Sequence, residues 1–448
     1  MKKILYLVML SVIVFNFVFV AAGDIDKAPN LYDIAFNGES YVVVGENGTV
    51  ITSYDGFNWT MENIDTDKNL YGVTWVMNKF VTVGEKGVIY TSQDGKEWIE
   101  RNSGISSDIY GIEGNGDKVI AVGDMGKILV SPDGTMWSRI RMIVNEVLNE
   151  VKWVNGVFLA VGNDKVILFS DDGIYWEEII VEHSDIDLKG IIWNGNEYVV
   201  AGENMNILTS EDGMEWTSID SDYLEDQTEA YLGKNIKSIA WQENRLIAAG
   251  EDGIIVSLKD GETWTLEMEV TEKSILSLVS SEDRIVGVGE DGIIIVSENE
   301  GEWENLTRLV ADLSEYTLLE TEEKSFQVLI EFPFNMKMDI TRYIDYEVSD
   351  ENVAAVENVG LIKGLSDGQS VIKAVYDGQI LEIPVTVEKH EENLNQDEDD
   401  VEDDVDEEGE EDSDEILDAI VEIIIRLTII IALTIIIMFL VRKIKKKN

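Results

Sequence analysis

Hydrophobic and polar residues alternate along most of this chain in short runs, and four such runs form a unit that recurs about every forty residues. In the first unit the runs occupy 31–36, 41–45, 49–53 and 58–61. Each run is rich in β-branched and aromatic residues, and turn-forming dipeptides such as Asn47-Gly48 and Asp55-Gly56 separate them. The pattern predicts four short antiparallel strands in every unit.

Tryptophan and glycine mark the repeat. Tryptophan recurs at intervals of 39, 39, 39, 40, 48 and 39 residues, at Trp59, Trp98, Trp137, Trp176, Trp216, Trp264 and Trp303. A glycine stands 14 residues before each one, at Gly45, Gly84, Gly123, Gly162, Gly202, Gly250 and Gly289. A four-stranded sheet cannot bury both faces alone, whereas stacking seven of them around an axis buries them all. The sequence therefore predicts an all-β fold with a seven-bladed β-propeller over residues 31–305.

A second motif, Ser-x-Asp-Gly-x-x-Trp, ends most units, as in Ser131, Asp133, Gly134 and Trp137. We expect its Asp to accept backbone N–H groups and its Gly to adopt a positive φ. The motif and its period resemble the Asp-box, or BNR-repeat, propellers, which include sialidases, sortilin-like receptors and photosystem II assembly factors. This sequence departs from the usual box because Gly follows Asp directly. The resemblance implies that the boxes are structural turns, distant from any active site.

An acidic or amide residue directly follows each repeat glycine, in the turn between the second and third strands. These residues are Glu46, Glu85, Asp124, Asn163, Glu203, Glu251 and Glu290. All seven are predicted to lie on one face of the ring, where they could bind a cation or a cationic partner. The alternative is that acidic residues simply favour solvated turns.

The 48-residue interval contains an insertion between Ser218 and Asn235 on the same predicted face. We interpret its Asp222, Tyr223 and Tyr231 as candidate binding residues, because a long loop on a rigid scaffold often carries binding function. A tolerated surface insertion explains the segment equally well.

Residues 306–389 lack the repeat but retain alternating strand patterns. The stretch from Tyr346 to Gly364 resembles the group 2 bacterial Ig-like domain, with Tyr346 where that family usually has Trp. The alternating strands predict a small β-sandwich. The resemblance implies a cell-surface spacer or adhesion module without catalysis.

The ends predict a membrane protein. Residues 1–22 have the features of a signal peptide, with an uncleaved anchor as the alternative. Residues 390–416 form an acidic disordered spacer, 417–441 a transmembrane helix and 442–448 a basic cytoplasmic tail. We therefore expect a single-pass cell-membrane protein whose bulk is extracellular.

Composition excludes several kinds of chemistry. Cysteine is absent and histidine occurs twice, so thiol catalysis and a histidine metal cluster are disfavoured. A formal net charge of -55 disfavours nucleic acid as a partner. No cofactor is expected apart from weak calcium binding by acidic residues.

These features favour a binding or scaffold protein that recognises a protein, peptide or glycan outside the cell. We expect no enzymatic activity. The alternatives are a sialidase-like glycoside hydrolase, which would need an arginine cluster for its substrate carboxylate, and an assembly factor for a membrane complex.

Overall fold

A computed structural model describes residues 27–389 apart from 142, 182–185, 220–232, 243, 260–262, 268–270, 299–301 and 357–359. The described residues belong to one compact unit. The regular structure in the described part of this unit consists of β-strands and short 3-10 turns. The predicted signal peptide, acidic spacer, transmembrane helix and basic tail lie outside the described residues and stay predictions. No helix among the described residues is long and apolar enough to span a membrane.

Strands β1 to β28 form seven four-stranded sheets, which we call blades 1 to 7, each made of four consecutive antiparallel strands. Blade 1 contains β1 (Leu31–Phe36), β2 (Tyr41–Gly45), β3 (Val50–Ser53) and β4 (Trp59–Glu62). Blade 2 contains β5 (Leu70–Val76), β6 (Lys79–Gly84), β7 (Ile89–Ser92) and β8 (Ile99–Arg101). Blade 3 contains β9 (Ile109–Gly114), β10 (Val119–Gly123), β11 (Lys127–Ser131) and β12 (Ser138–Arg139). Blade 4 contains β13 (Leu148–Val154), β14 (Val157–Gly162), β15 (Ile167–Ser170) and β16 (Glu177–Ile179).

The remaining blades follow the same plan. Blade 5 contains β17 (Leu188–Trp193), β18 (Tyr198–Gly202), β19 (Ile207–Ser210) and β20 (Thr217–Ile219). Blade 6 contains β21 (Ile236–Gln242), β22 (Arg245–Gly250), β23 (Ile255–Lys259) and β24 (Thr263–Leu266). Blade 7 contains β25 (Ile275–Ser280), β26 (Arg284–Gly289), β27 (Ile294–Glu298) and β28 (Trp303–Asn305). The all-β propeller predicted from the period is confirmed.

The blades close into a ring. The first strand of each blade contacts the first strand of the next, and β1 contacts β25 of the last blade. The Ser277 hydroxyl donates to Asp33 at 2.7 Å and the Tyr41 hydroxyl to Ser281 at 2.9 Å across this closing joint. Since every blade is built from consecutive strands, the ring closes by side-chain packing and hydrogen bonds without an exchanged strand.

Every first strand contains a β-bulge near its start. In blade 1 the pairing with β2 shifts between Leu31 and Asp33, and the other six blades repeat the shift. A bulge sets two residues opposite one on the partner strand and re-aims their side chains. The second residue of each first strand therefore reaches the central channel at the face where the chain enters the blade.

The Asp-Gly turns of blades 1 to 5 fold as the motif predicts. In blade 3 Asp133 accepts the amides of Thr135 and Met136 at 2.8 and 3.2 Å, while Gly134 has φ +76°. Hydrogen bonds from the Thr135 hydroxyl and amide hold the pKa of Asp133 at about 2. The Trp137 indole then donates to the Gly134 carbonyl at 3.2 Å. These contacts are local, which agrees with a structural turn.

The chain from Arg308 to Glu388 forms a second all-β region, which we call the C-terminal β-domain. Its strands are β29 (Arg308–Ala311), β30 (Tyr316–Leu319), β31 (Glu323–Ser325), β32 (Val328–Glu331), β33 (Lys337–Asp339), β34 (Asp345–Val348), β35 (Ala354–Val356), β36 (Leu361–Gly364), β37 (Gly368–Tyr376) and β38 (Gln379–Glu388). They form sheets in the orders β29-β32-β33, β30-β38-β37-β34 and β31-β36-β35. Tyr346 packs against Phe326 with ring centroids 5.2 Å apart. The Ig-like resemblance of this region stays a prediction.

The C-terminal β-domain packs over the joint between blades 1 and 7. Phe332 and Phe334 belong to the same hydrophobic core as Trp59 of blade 1 and Val286 of blade 7. The Trp59 amide donates to the Pro333 carbonyl at 3.4 Å. These side chains cover the joint between blades 1 and 7, where the first and last blades of the sequence meet.

Candidate functional site

The seven residues predicted to ring the channel do lie at equivalent positions on one face, which we call the turn face. Each follows the end of a second strand, and its amide donates to the carbonyl of the residue that precedes the first strand of the same blade. The donors are Glu46, Glu85, Asp124, Asn163, Glu203, Glu251 and Glu290, at 2.8 to 3.0 Å. This bond holds the turn against the start of the blade.

The repeat glycine is required by the same contact. A Cβ at Gly84 would lie 2.0 Å from the Asn69 carbonyl oxygen, and the equivalent distance at Gly45 is 2.3 Å. Real Cβ atoms do not approach that closely. The glycine spacing in the sequence therefore reports a backbone contact inside each blade.

Most of the carboxylates in this ring are occupied by their own blade. Five accept the backbone N–H of the residue 16 positions earlier, at 3.2 to 3.4 Å: Glu46, Glu85, Asp124, Glu203 and Glu251. Asn163 instead accepts from the Asn149 and Lys189 side chains at 2.8 and 3.2 Å. Among the described residues, no group of three acidic, histidine or cysteine side chains is placed to hold a metal ion. These side chains fasten turns, and a binding role for them stays a prediction.

In five of the seven turns the next residue fastens neighbouring blades together. The Lys86 amide of blade 2 donates to the Asp108 side chain of blade 3 at 2.8 Å, and similar bonds join blade 1 to 2, 4 to 5 and 5 to 6. The Asp291 amide of blade 7 donates to Asn30, just before blade 1, at 3.1 Å. The ring closes on the turn face with the same kind of contact that joins four other pairs of neighbouring blades.

Seven partly exposed side chains form the rim of the channel on the turn face, 14 residues before each ring residue. These rim positions are Tyr32, Tyr71, Tyr110, Asn149, Lys189, Lys237 and Leu276. Blades 1 to 3 carry tyrosine, and blades 5 and 6 carry lysine. The rim therefore has an aromatic side and a cationic side.

The three tyrosines form a continuous arc. The ring centroids of Tyr32 and Tyr71 are 5.3 Å apart, and those of Tyr71 and Tyr110 are 5.2 Å apart. The Tyr110 hydroxyl donates to Asp124 at 3.1 Å. Burial raises the pKa of Tyr110, and the Asp124 carboxylate raises it further. The tyrosines thus remain neutral beside carboxylates.

The lysines on the other side are paired with carboxylates. Lys237 lies 3.0 Å from Glu251, and Lys189 lies 3.6 Å from Asp187. Burial lowers the pKa of Lys189, the Asp187 carboxylate opposes this effect, and the nearby Lys237 charge adds to it. This part of the rim carries two neighbouring positive charges.

A charged cluster lies deeper in the channel. The Lys152 ammonium is 3.1 Å from Glu150 and is also attracted by Glu113 and Asp33, from blades 3 and 1. Asp33 accepts the Val73 amide at 2.7 Å, and Glu150 accepts the Ile191 amide at 2.9 Å. Burial raises the pKa of each of the three carboxyl groups, and the Lys152 charge opposes that rise. The cluster joins blades across the axis.

The sequence analysis predicted the turn face but missed the rim residues and the charged cluster around Lys152. Asp222, Tyr223 and Tyr231 lie outside the described residues. The tyrosine arc had a signal, because aligning the repeats places its members at one position. The sequence analysis followed tryptophan and glycine through the repeats and did not compare this position.

Comparisons with known proteins agree with the fold. A family model described as the DUF6242 beta propeller domain matches residues 171–318, less than half of the chain. The structure titled YCF48 bound to D1 peptide is similar, with a TM-score of 0.51, 18% identity and coverage of 61% of this chain and 94% of that one. YCF48 from Cyanidioschyzon merolae has a TM-score of 0.51, 17% identity and coverage of 61% and 97%. No curated protein matches the chain.

The chain is a β-propeller similar in fold to YCF48. At such low identity the likeness shows the fold alone. The resemblances to the Asp-box family and to the Ig-like family stay predictions.

Proposed function

We propose that this chain is a binding protein whose propeller recognises a peptide segment of a protein partner on the turn face. The observation that carries the proposal is the rim, where partly exposed tyrosine and lysine side chains surround one mouth of a closed ring. Aromatic side chains supply large contact areas at low conformational cost, and charged groups beside them select the partner. A rigid ring presents both without reorganising.

The similar YCF48 propeller has been solved with a D1 peptide. This likeness supports a peptide more than a glycan as the bound group. It also keeps the assembly-factor alternative in view, in which the recognised segment belongs to a subunit of a membrane complex. In our proposal the predicted signal peptide and C-terminal helix place the propeller outside the cell and tether it to the membrane.

The arginines support binding over sialidase-like hydrolysis. Arg245 and Arg284 begin second strands, away from the first strands that line the channel. Arg245 pairs with Glu267 at 2.9 Å, and Arg284 pairs with Glu298 at 3.3 Å. A glycosidase of that type needs its arginines together and free for the substrate carboxylate. We therefore propose a role without catalysis.

Site-specific cross-linking in intact cells tests the proposal. Azidophenylalanine replaces Tyr32 on the rim in one full-length protein and Tyr175, which is 81% exposed on an Asp-Gly turn of the opposite face, in a matched control. We expect the rim probe alone to form a cross-link that maps to one segment of a partner. Equal products from both positions, or none from the rim, would contradict the proposal. A partner that is a subunit of a membrane complex would favour the assembly-factor alternative.

A further inference from the structure

The rim differs in charge from one side to the other, and this difference indicates which part of a partner each side accepts. Blades 5 and 6 carry Lys189 and Lys237 at the rim, and their positive charges would repel a cation of the partner. Blades 1 to 3 carry no cation at the equivalent positions, which hold the tyrosine arc. The carboxylates of Glu46, Glu85 and Asp124 follow the arc on the turns of the same three blades.

We infer that the tyrosine arc binds the guanidinium or ammonium group of an arginine or lysine side chain in the partner peptide. The inference rests on the proposed function and names the chemistry of its ligand. A cation is attracted to the negative face of an aromatic ring within about 6 Å of the ring centroid. Neighbouring ring centroids in the arc are 5.2 and 5.3 Å apart, so one cation near Tyr71 can contact two rings.

Carboxylates around the arc strengthen this preference. The charges of Glu46 and Glu290 act on Tyr32, and those of Asp108, Glu85 and Asp124 act on Tyr71. The nearby cation Lys86 is paired with Glu85, and its side chain is 61% exposed. A second nearby cation, Lys68, is paired with Asp67. Five carboxylates thus act on the arc, and both of these lysines are paired with carboxylates. The field of the carboxylates favours a cationic ligand on the arc and disfavours an anionic one.

The repeats provide conservative test variants. Blade 7 has Leu276 at the rim position, so Tyr71→Leu introduces a residue that this position already accommodates. Tyr71→Phe keeps the ring and removes only the hydroxyl, which accepts a long bond of 3.5 Å from Asn69. Both variants are first checked for an unchanged thermal melt.

The test uses the full-length chain and a phage-displayed library of random peptides of about twelve residues. We expect selected peptides to be enriched in arginine or lysine. In the tightest one, replacing the critical arginine with citrulline keeps the shape and removes the charge. The wild type and Tyr71→Phe should then lose affinity by roughly three- to thirtyfold, and Tyr71→Leu should show little further loss, because its ring contact is already absent.

Each outcome separates the two proposals. Selected peptides without a basic residue, or an equal citrulline effect in Tyr71→Leu, would overturn this inference and leave peptide recognition standing. Failure to select any peptide would remove both. Capture of neutral glycans by the wild type but not by Tyr71→Leu would overturn the cationic ligand and assign the arc to sugar stacking.

Discussion

Replacing Lys152 with methionine tests the role of the charged cluster in the channel. Methionine has a similar unbranched shape, and blade 5 already carries the apolar Ile192 at the equivalent position. The substitution removes the ammonium that lies 3.1 Å from Glu150 and compensates Asp33 and Glu113. Three carboxylates would then face one another in the channel without a cation.

The expected loss follows from burial. Removing one partner of a fully buried ion pair costs about 3 to 5 kcal/mol. The Lys152 side chain keeps 39% of its surface accessible to channel water, so we expect a smaller loss of about 2 to 3 kcal/mol at pH 7.5. Adding Glu150→Gln to the variant should restore part of this loss, because one uncompensated charge disappears.

The loss should depend on pH with a defined sign. Burial raises the folded-state pKa values of Asp33, Glu113 and Glu150 above the unfolded values. Because the Lys152 charge opposes that rise, removing Lys152 should raise these pKa values further. Folding then favours the protonated carboxyls, and this contribution is lost as pH rises through the folded-state pKa values. Burial lowers the pKa of Lys152, but its carboxylates raise that pKa by more, so its own stabilisation stays constant well below pH 10. We expect the loss to fall below about 1 kcal/mol near pH 5.

Urea unfolding followed by tryptophan fluorescence measures the effect, since all 11 tryptophans lie within the repeats. Lys68→Met is the matched control, because its partner Asp67 is 90% exposed and such a pair contributes little at either pH. A loss in Lys152→Met that is the same at both pH values, or no larger than in the control, would refute the reasoning.

Five further substitutions test the packing. Trp59→Ala should lower the free energy of unfolding by about 4 to 5 kcal/mol, because Trp59 is 2% exposed. Trp137→Ala should lower it by only about 2 to 3 kcal/mol, because Trp137 is partly exposed. Equal losses in urea unfolding would contradict this dependence on burial. Gly84→Ala should lower the free energy of unfolding by more than about 3 kcal/mol, because the new Cβ would meet the Asn69 carbonyl. Gly38 has φ +93° and open space around it, so Gly38→Ala should cost about 1 kcal/mol by the same measurement. Phe332→Ala should destabilise the propeller by about 3 kcal/mol although it lies in the other domain, and an unchanged tryptophan-detected melt would contradict that coupling.

Much of the fold could be predicted because the repeat multiplies weak signals. One Asp-Gly turn or one buried tryptophan is ambiguous, but seven copies at a fixed interval leave few architectures. The glycine before each turn was recognised by its spacing, and its cause became visible only in three dimensions. Gly84 is adjacent to the Asn69 carbonyl because the second strand ends where the first begins.

The candidate site was less predictable than the fold, because it depends on which group each polar side chain hydrogen-bonds to in the folded protein. Glu46 and Asp124 have the residue types and the face expected of an acidic ring, yet they accept amides of their own blades. A composition pattern does not distinguish a carboxylate that binds a ligand from one that fastens a turn. Asp33 and Lys152 lie in the first strands of different blades, 119 residues apart in the sequence, and only the closed ring brings them together.

The position of the C-terminal β-domain sets the order in which this protein can be completed. Phe332 and Pro333 are synthesised after all seven blades, yet they cover the joint beside Trp59 in the first blade. A nascent or truncated chain that ends before them leaves apolar side chains at that joint uncovered. We expect such chains to depend on chaperones and to be degraded sooner. A mutation that disrupts the C-terminal β-domain would therefore lower the amount of folded propeller in the cell.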